Sequence, residues 1–181
     1  MTRRLLPASL ALLGGLAGPS AVAAAPSAPA SNARLAGSFA MSGRVTVASD
    51  VPGERPGRAF HRSWAFSSQC GAAQCPTVTL RRDRAGGTDT LTLGRRSAAY
   101  YVGSGSFYAP VRCGSRIYPR GALVPFTIAV RITAATPFGS LALATDIRAT
   151  YVNHARRNLT PCVAALGHDA ARYLGALVGP A

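Results

Sequence analysis

The chain of 181 residues carries 20 basic side chains against 6 acids, a formal charge of +14 with histidine neutral, and every basic residue is an arginine. Hydrophobic residues make up 48% and charged residues only 14%, which excludes a disordered polar chain and leaves enough apolar surface for one packed domain. Six acids also leave little material for the paired carboxylates of a glycosidase.

Arg3 and Arg4 precede an apolar run from Leu5 to Leu16 and then small residues, with Ala21-Val22-Ala23 or Ala23-Ala24-Ala25 fitting a small-x-small cleavage site. This is the pattern of a secretory signal peptide over residues 1–25, too short to remain as a membrane span. It predicts a secreted, extracellular protein that keeps 18 arginines against 6 acids once Arg3 and Arg4 are removed, a formal charge near +12. Residues 26–36, small and proline-containing, predict a flexible linker, and residues 37–181 a single disulfide-stapled β domain.

From Gly37, Phe39, Met41, Val45 and Val47 alternate with Ser38, Ser42, Arg44 and Thr46, the period of a half-buried strand. Turn residues crowd Asp50 to Gly57, and Phe60, Trp64 and Phe66 then share one parity, predicting a loop and a second strand. Val78 and Leu80 stand across Arg84-Ala85-Gly86-Gly87 from Leu91 and Leu93, a register that sets Arg82 opposite Asp89. Gly103-Ser104-Gly105-Ser106 reads as a turn between Tyr101 and Phe107. A further turn at Thr136-Pro137-Phe138-Gly139 would set Phe126, Ile128, Val130 and Ile132 opposite Ala149, Ile147, Thr145 and Leu143, with Thr127, Arg131, Asp146 and Arg148 on the reverse face. Leu166, Ala170, Tyr173, Leu174 and Leu177 recur at three- and four-residue steps before Gly179 and Pro180, predicting one short C-terminal helix capped by Asp169. The expected fold is all-β, an antiparallel β-sandwich or an up-and-down β-barrel with that one helix.

Cys70, Cys75, Cys113 and Cys162 form an even set, which in an exported chain predicts two disulfides. Three pairings are formally open. The short span from Cys70 to Cys75 can fold back as a hairpin tip, which favours Cys70 with Cys75 and Cys113 with Cys162. The spacing lacks the paired C-x2-C knuckles of a zinc site, and neither His61 nor His154 has a second ligand at metal spacing, so no metal is expected.

No G-x-S-x-G elbow, phosphate loop or dinucleotide fingerprint is present, so no catalytic residue and no cofactor is expected. Arg81, Arg82 and Arg84, with Arg95 and Arg96 across the hairpin, form the densest basic cluster and are the candidate anion-binding residues. Tyr100, Tyr101, Phe107 and Tyr108 are candidate stacking surfaces for a ligand.

The order Ser63-Trp64-Ala65-Phe66, Cys70-x4-Cys75, Val78-Thr79-Leu80-Arg81, Tyr100-Tyr101-Val102-Gly103 and Cys113 resembles small exported, two-disulfide, β-rich proteins of high-GC, actinobacterial-type bacteria. The ending is similar too: Thr145 to Tyr151, Pro161-Cys162, then His168 to Tyr173. No activity is assigned to that group, so the resemblance implies the disulfides and a β fold and no site residue. The expected role is a secreted, non-enzymatic domain that binds anionic cell-surface polymers or lipids through its arginines. The alternatives are a carrier of a small apolar ligand in a lipocalin-like barrel, a secreted inhibitor presenting the Val51 to Gly57 loop, or an enzyme whose polar cluster assembles from distant residues.

Overall fold

The computed structural model describes residues 28–71, 74–84, 87–163 and 167–179. The signal peptide expected over residues 1–25 lies outside them, as do Leu166 of the expected helix and Ala85-Gly86 of the expected hairpin turn. The strands are β1 (Ala33–Arg34), β2 (Gly37–Ser49), β3 (Ala59–Ser67), β4 (Thr77–Arg84), β5 (Gly87–Ser97), β6 (Tyr100–Cys113), β7 (Arg116–Phe138), β8 (Leu141–Asn153), β9 (Arg157–Asn158) and β10 (His168–Gly179).

From β2 to β8 each strand pairs antiparallel with the next, and β10 lies between β8 and β2. Eight strands thus close an up-and-down barrel, the second of the two expected architectures, and closure removes the unpaired edges that a sheet would otherwise expose. The alternation read from the sequence decides which side chains fill it. Phe39, Met41, Trp64, Phe66, Leu80, Leu93, Tyr101, Ile128 and Ile147 are buried inside, while Ser42, Arg44, Thr79, Arg81, Thr90, Thr92, Arg148 and Thr150 are exposed outside. The outer wall is mixed, since Val152, Leu174 and Val178 are exposed there as well. Among the described residues, no helix is long and apolar enough to cross a membrane.

The β4–β5 hairpin has the expected register, with Val78 opposite Leu93, Leu80 opposite Leu91 and Arg82 opposite Asp89. Four other expectations are corrected. The C-terminal segment is strand β10, not a helix: Tyr173 and Leu177 are four apart, a spacing that suits one face of either structure, and the barrel needs an eighth strand between β8 and β2 to close. Gly103 to Ser106 is no turn but lies within β6, where a Cβ on Gly105 would come 2.6 Å from the Phe126 ring, so glycine lets that ring lie against the backbone. The chain reverses at Gly139-Ser140, later than expected, with Gly139 at φ +60° as a two-residue hairpin turn asks. Ile132 therefore meets Ile147, not Leu143, and β-bulges around Ala134 absorb the offset. Finally, the expected linker is structured from Ala28. Its amide donates to the Ala135 carbonyl (3.1 Å), β1 pairs with Ala142 and Leu143, and Ala33 and Leu35 are buried. These small apolar side chains plug the end of the barrel where the apolar floor would otherwise meet water.

Both disulfides adopt the favoured pairing, Cys70–Cys75 and Cys113–Cys162, with Cα atoms 5.6 and 6.0 Å apart. Two such bridges fit an oxidising compartment. The first lies beside the plugged floor, where the Tyr101 hydroxyl donates to the Cys75 carbonyl. The second ties the tip of the β6–β7 hairpin to the segment carrying β9, which pairs with Ala122 and Leu123. That hairpin stands up from the barrel's other end.

Candidate binding site at the barrel mouth

At the end opposite the plug, the inward positions stop being aliphatic. Phe60, Arg62 and Trp64 follow one another up the inner face of β3, and Arg82 and Arg84 continue the inward parity of Val78 and Leu80 on β4. Phe107 on β6, Tyr151 on β8, and Asp169 and Tyr173 on β10 complete the wall. Val51, Pro52, Glu54 and Arg58 of the β2–β3 loop, Ala109 and Pro110 of the raised hairpin, and Arg156 after β8 form the rim. They enclose a cavity of about 420 Å³, within the range of small-molecule sites.

The arginines here are held in different ways. Arg82 is buried, donates to both Asp89 oxygens at 2.6 and 2.9 Å, and lies over the Phe126 and Tyr151 rings at 4.3 and 5.1 Å from their centroids. Its donors face a carboxylate and its cation lies over two neighbouring rings, so Arg82 is part of the framework. Arg84 reaches the same carboxylate at 3.5 Å and stacks on Phe107, but its buried Nε makes no hydrogen bond among the described residues. Arg58 pairs with Glu54. Arg62 has no carboxylate partner among the described residues. It donates to the His61 carbonyl at 2.8 Å and, with Arg58, lies over Phe60.

Asp169, expected to cap a helix, instead accepts from Arg156 Nη2 at 3.0 Å and from Asn153 Nδ2, whose Oδ1 accepts the Tyr151 hydroxyl. Burial holds the Asp169 carboxyl above the usual carboxylate range, against the pull of Arg156. Burial also pushes the Tyr151 phenol up, and Tyr173 to about 12. Both phenols therefore keep their protons at neutral pH, and the Tyr173 hydroxyl makes no hydrogen bond among the described residues. Five guanidinium groups (Arg58, Arg62, Arg82, Arg84, Arg156) share three carboxylates (Glu54, Asp89, Asp169), while Asp83 is exposed at the rim and accepts from Thr88. The mouth is an aromatic-walled pocket with a positive surplus.

Strand alternation divides the arginines singled out in the sequence. Arg82 and Arg84 come together inside the mouth, Arg81 stands on the outer wall, and Arg95 bonds Gln74 near the plugged end with Arg96 exposed beside it. The aromatic candidates divide likewise. Phe107 lines the mouth, Tyr101 is buried near the floor, and Tyr100 and Tyr108 lie outside beneath Arg131 and Arg120. Sequence reasoning missed Arg58, Arg62, Arg156, Tyr151, Asp169 and Tyr173. For Arg62 a signal was present, since an arginine on the same parity as Phe60, Trp64 and Phe66 must point inward.

Among the described residues no three His, Cys, Asp or Glu side chains form a group that could hold a metal ion. No family model matches the chain, and neither a curated protein nor a solved structure matches it.

Proposed function

We propose that this protein is a secreted, non-enzymatic barrel that holds a small anionic amphiphile in its mouth. The apolar body of the ligand lies among Phe60, Trp64, Phe107 and Tyr173, and its acid group meets Arg62 and Arg84. One observation carries this reading: in a pocket walled by aromatic rings, guanidinium groups outnumber the carboxylates that hold them, and Arg62 has none among the described residues. A half-buried guanidinium beside aromatic rings, with no carboxylate partner among the described residues, is a strong hydrogen-bond donor to a carboxylate, sulfonate or phosphate. The deeper half of the barrel is filled by Phe39, Phe66, Leu80, Leu93 and Ile128, which favours a ligand of mouth size over a long apolar chain.

Calorimetry with two ligands of one shape tests this. Naphthalene-1-sulfonate should bind at least about tenfold more tightly than uncharged 1-naphthalenemethanol, a difference of about 1.4 kcal/mol. Equal binding of the two would replace this reading with an apolar carrier, and no binding of either would remove the mouth as a site.

A further inference from the structure

The outer wall carries a second basic feature, built from arginines that do not line the mouth, although Phe60 and Tyr173 border both cavities. In the registers of four neighbouring strands, Arg44 on β2 stands directly opposite Arg172 on β10, and Arg148 on β8 directly opposite Arg131 on β7. Arg172 and Arg148 are linked across the β10–β8 ladder, facing Thr150 and Leu174, one outward position apart. All four are exposed. With strands about 4.8 Å apart, the row spans roughly 14 Å across the barrel.

Like charges directly opposite one another destabilise a sheet, and elsewhere this chain avoids the cost by setting Asp89 opposite Arg82. Here it does not. Arg44 donates to the Gly57 carbonyl and Arg131 lies over Tyr100, but none of the four makes an ion pair among the described residues. Asp146, the acid on this face, accepts from Thr145 instead. Arg44, Arg148 and Arg172 also line a groove of about 640 Å³ on the outer surface.

We propose that this arginine row docks a linear polyanion with closely spaced phosphates, running across the strands along the groove. Each guanidinium can donate a forked pair of hydrogen bonds to a phosphate once Arg44 and Arg131 turn from Gly57 and Tyr100, and the partner's charge offsets the repulsion built into the row. The groove is concave, which suits a single extended chain better than the flat surface of a bilayer.

The test compares the intact protein with two fourfold variants of equal charge. One carries Arg44→Gln, Arg131→Gln, Arg148→Gln and Arg172→Gln. The other carries Arg96→Gln, Arg112→Gln, Arg116→Gln and Arg120→Gln, all exposed and away from the row. Affinity for long-chain inorganic polyphosphate should fall at least about tenfold in the first, with a shallower salt dependence, and less than about threefold in the second. Equal losses in both would reduce the effect to net charge and overturn the proposal, as would binding to phosphatidylglycerol vesicles without binding to polyphosphate. A single Arg172→Glu exchange guards against a folding artefact. It sets an acid opposite Arg44, so the thermal midpoint should hold or rise while polyphosphate affinity drops; unchanged affinity would overturn the assignment.

Discussion

A buried guanidinium such as that of Arg82 survives only with its charge matched, and Asp89 supplies that match from the neighbouring strand. Asp89→Ala leaves Arg82 buried and unpaired and takes the same carboxylate from Arg84. It should cost about 3 kcal/mol in urea unfolding, whereas a cost below about 1 kcal/mol would mean that the π contacts with Phe126 and Tyr151 suffice. Tyr173 makes a different prediction. Its phenol titrates at about 12 in the fold against an ordinary 10.0. Between those values the unfolded chain has released a proton that the folded chain keeps, so stability falls as pH rises through that window, by up to about 1.4 kcal/mol per pH unit for one group. Tyr151, also raised, adds in the same direction. Urea midpoints measured from pH 9 to 12 should fall less steeply in Tyr173→Phe than in the parent; identical slopes would contradict the burial of that hydroxyl.

Among the elements, the raised β6–β7 hairpin and the segment carrying β9 are joined by Cys113–Cys162, a bridge between residues 49 apart. Replacing both cysteines by serine should cost about 4 kcal/mol, against about 2 kcal/mol for the shorter loop of Cys70–Cys75, if chain entropy governs. Denaturant midpoints of the two double variants test that order. Most strands were legible because each keeps one wet face, so the period of two survives in the sequence from Phe39 to Tyr151. Two of the misreadings share a cause. A slip of four residues in the β7–β8 turn preserves parity, and the four-residue step from Tyr173 to Leu177 fits helix and strand alike, so neither error leaves a trace in the hydrophobic pattern. Local signals cannot tell these cases apart; only the pairing partners do.

For the whole molecule, closure is the property no single segment encodes. A sandwich and a barrel ask the same alternation of each strand, and what distinguishes them is that β10 has partners on both sides. Closure also explains why arginines scattered along the chain become a site: the same ends of β3, β4, β6, β8 and β10 meet at one rim, so Arg62, Arg82, Arg84 and Asp169 become neighbours. The charge balance of that rim should respond to pH. Because burial raises the Asp169 carboxyl, acidification through its range removes a negative charge from the mouth, and affinity for a sulfonate should rise as pH falls. Asp169→Asn should bind more tightly at neutral pH and lose that part of the pH dependence.

Trp64 is the only tryptophan of the chain and lines the mouth, so its emission reports directly on occupancy. The decisive measurement is a titration with 8-anilinonaphthalene-1-sulfonate, following Trp64 quenching by energy transfer in the parent protein and in Arg62→Gln. Saturable one-to-one quenching in the parent, weakened about tenfold or more in the variant, is the result expected if an anion sits on Arg62 beside the aromatic wall. Dye binding that leaves Trp64 emission untouched, or that Arg62→Gln does not change, would contradict a binding site in the barrel mouth.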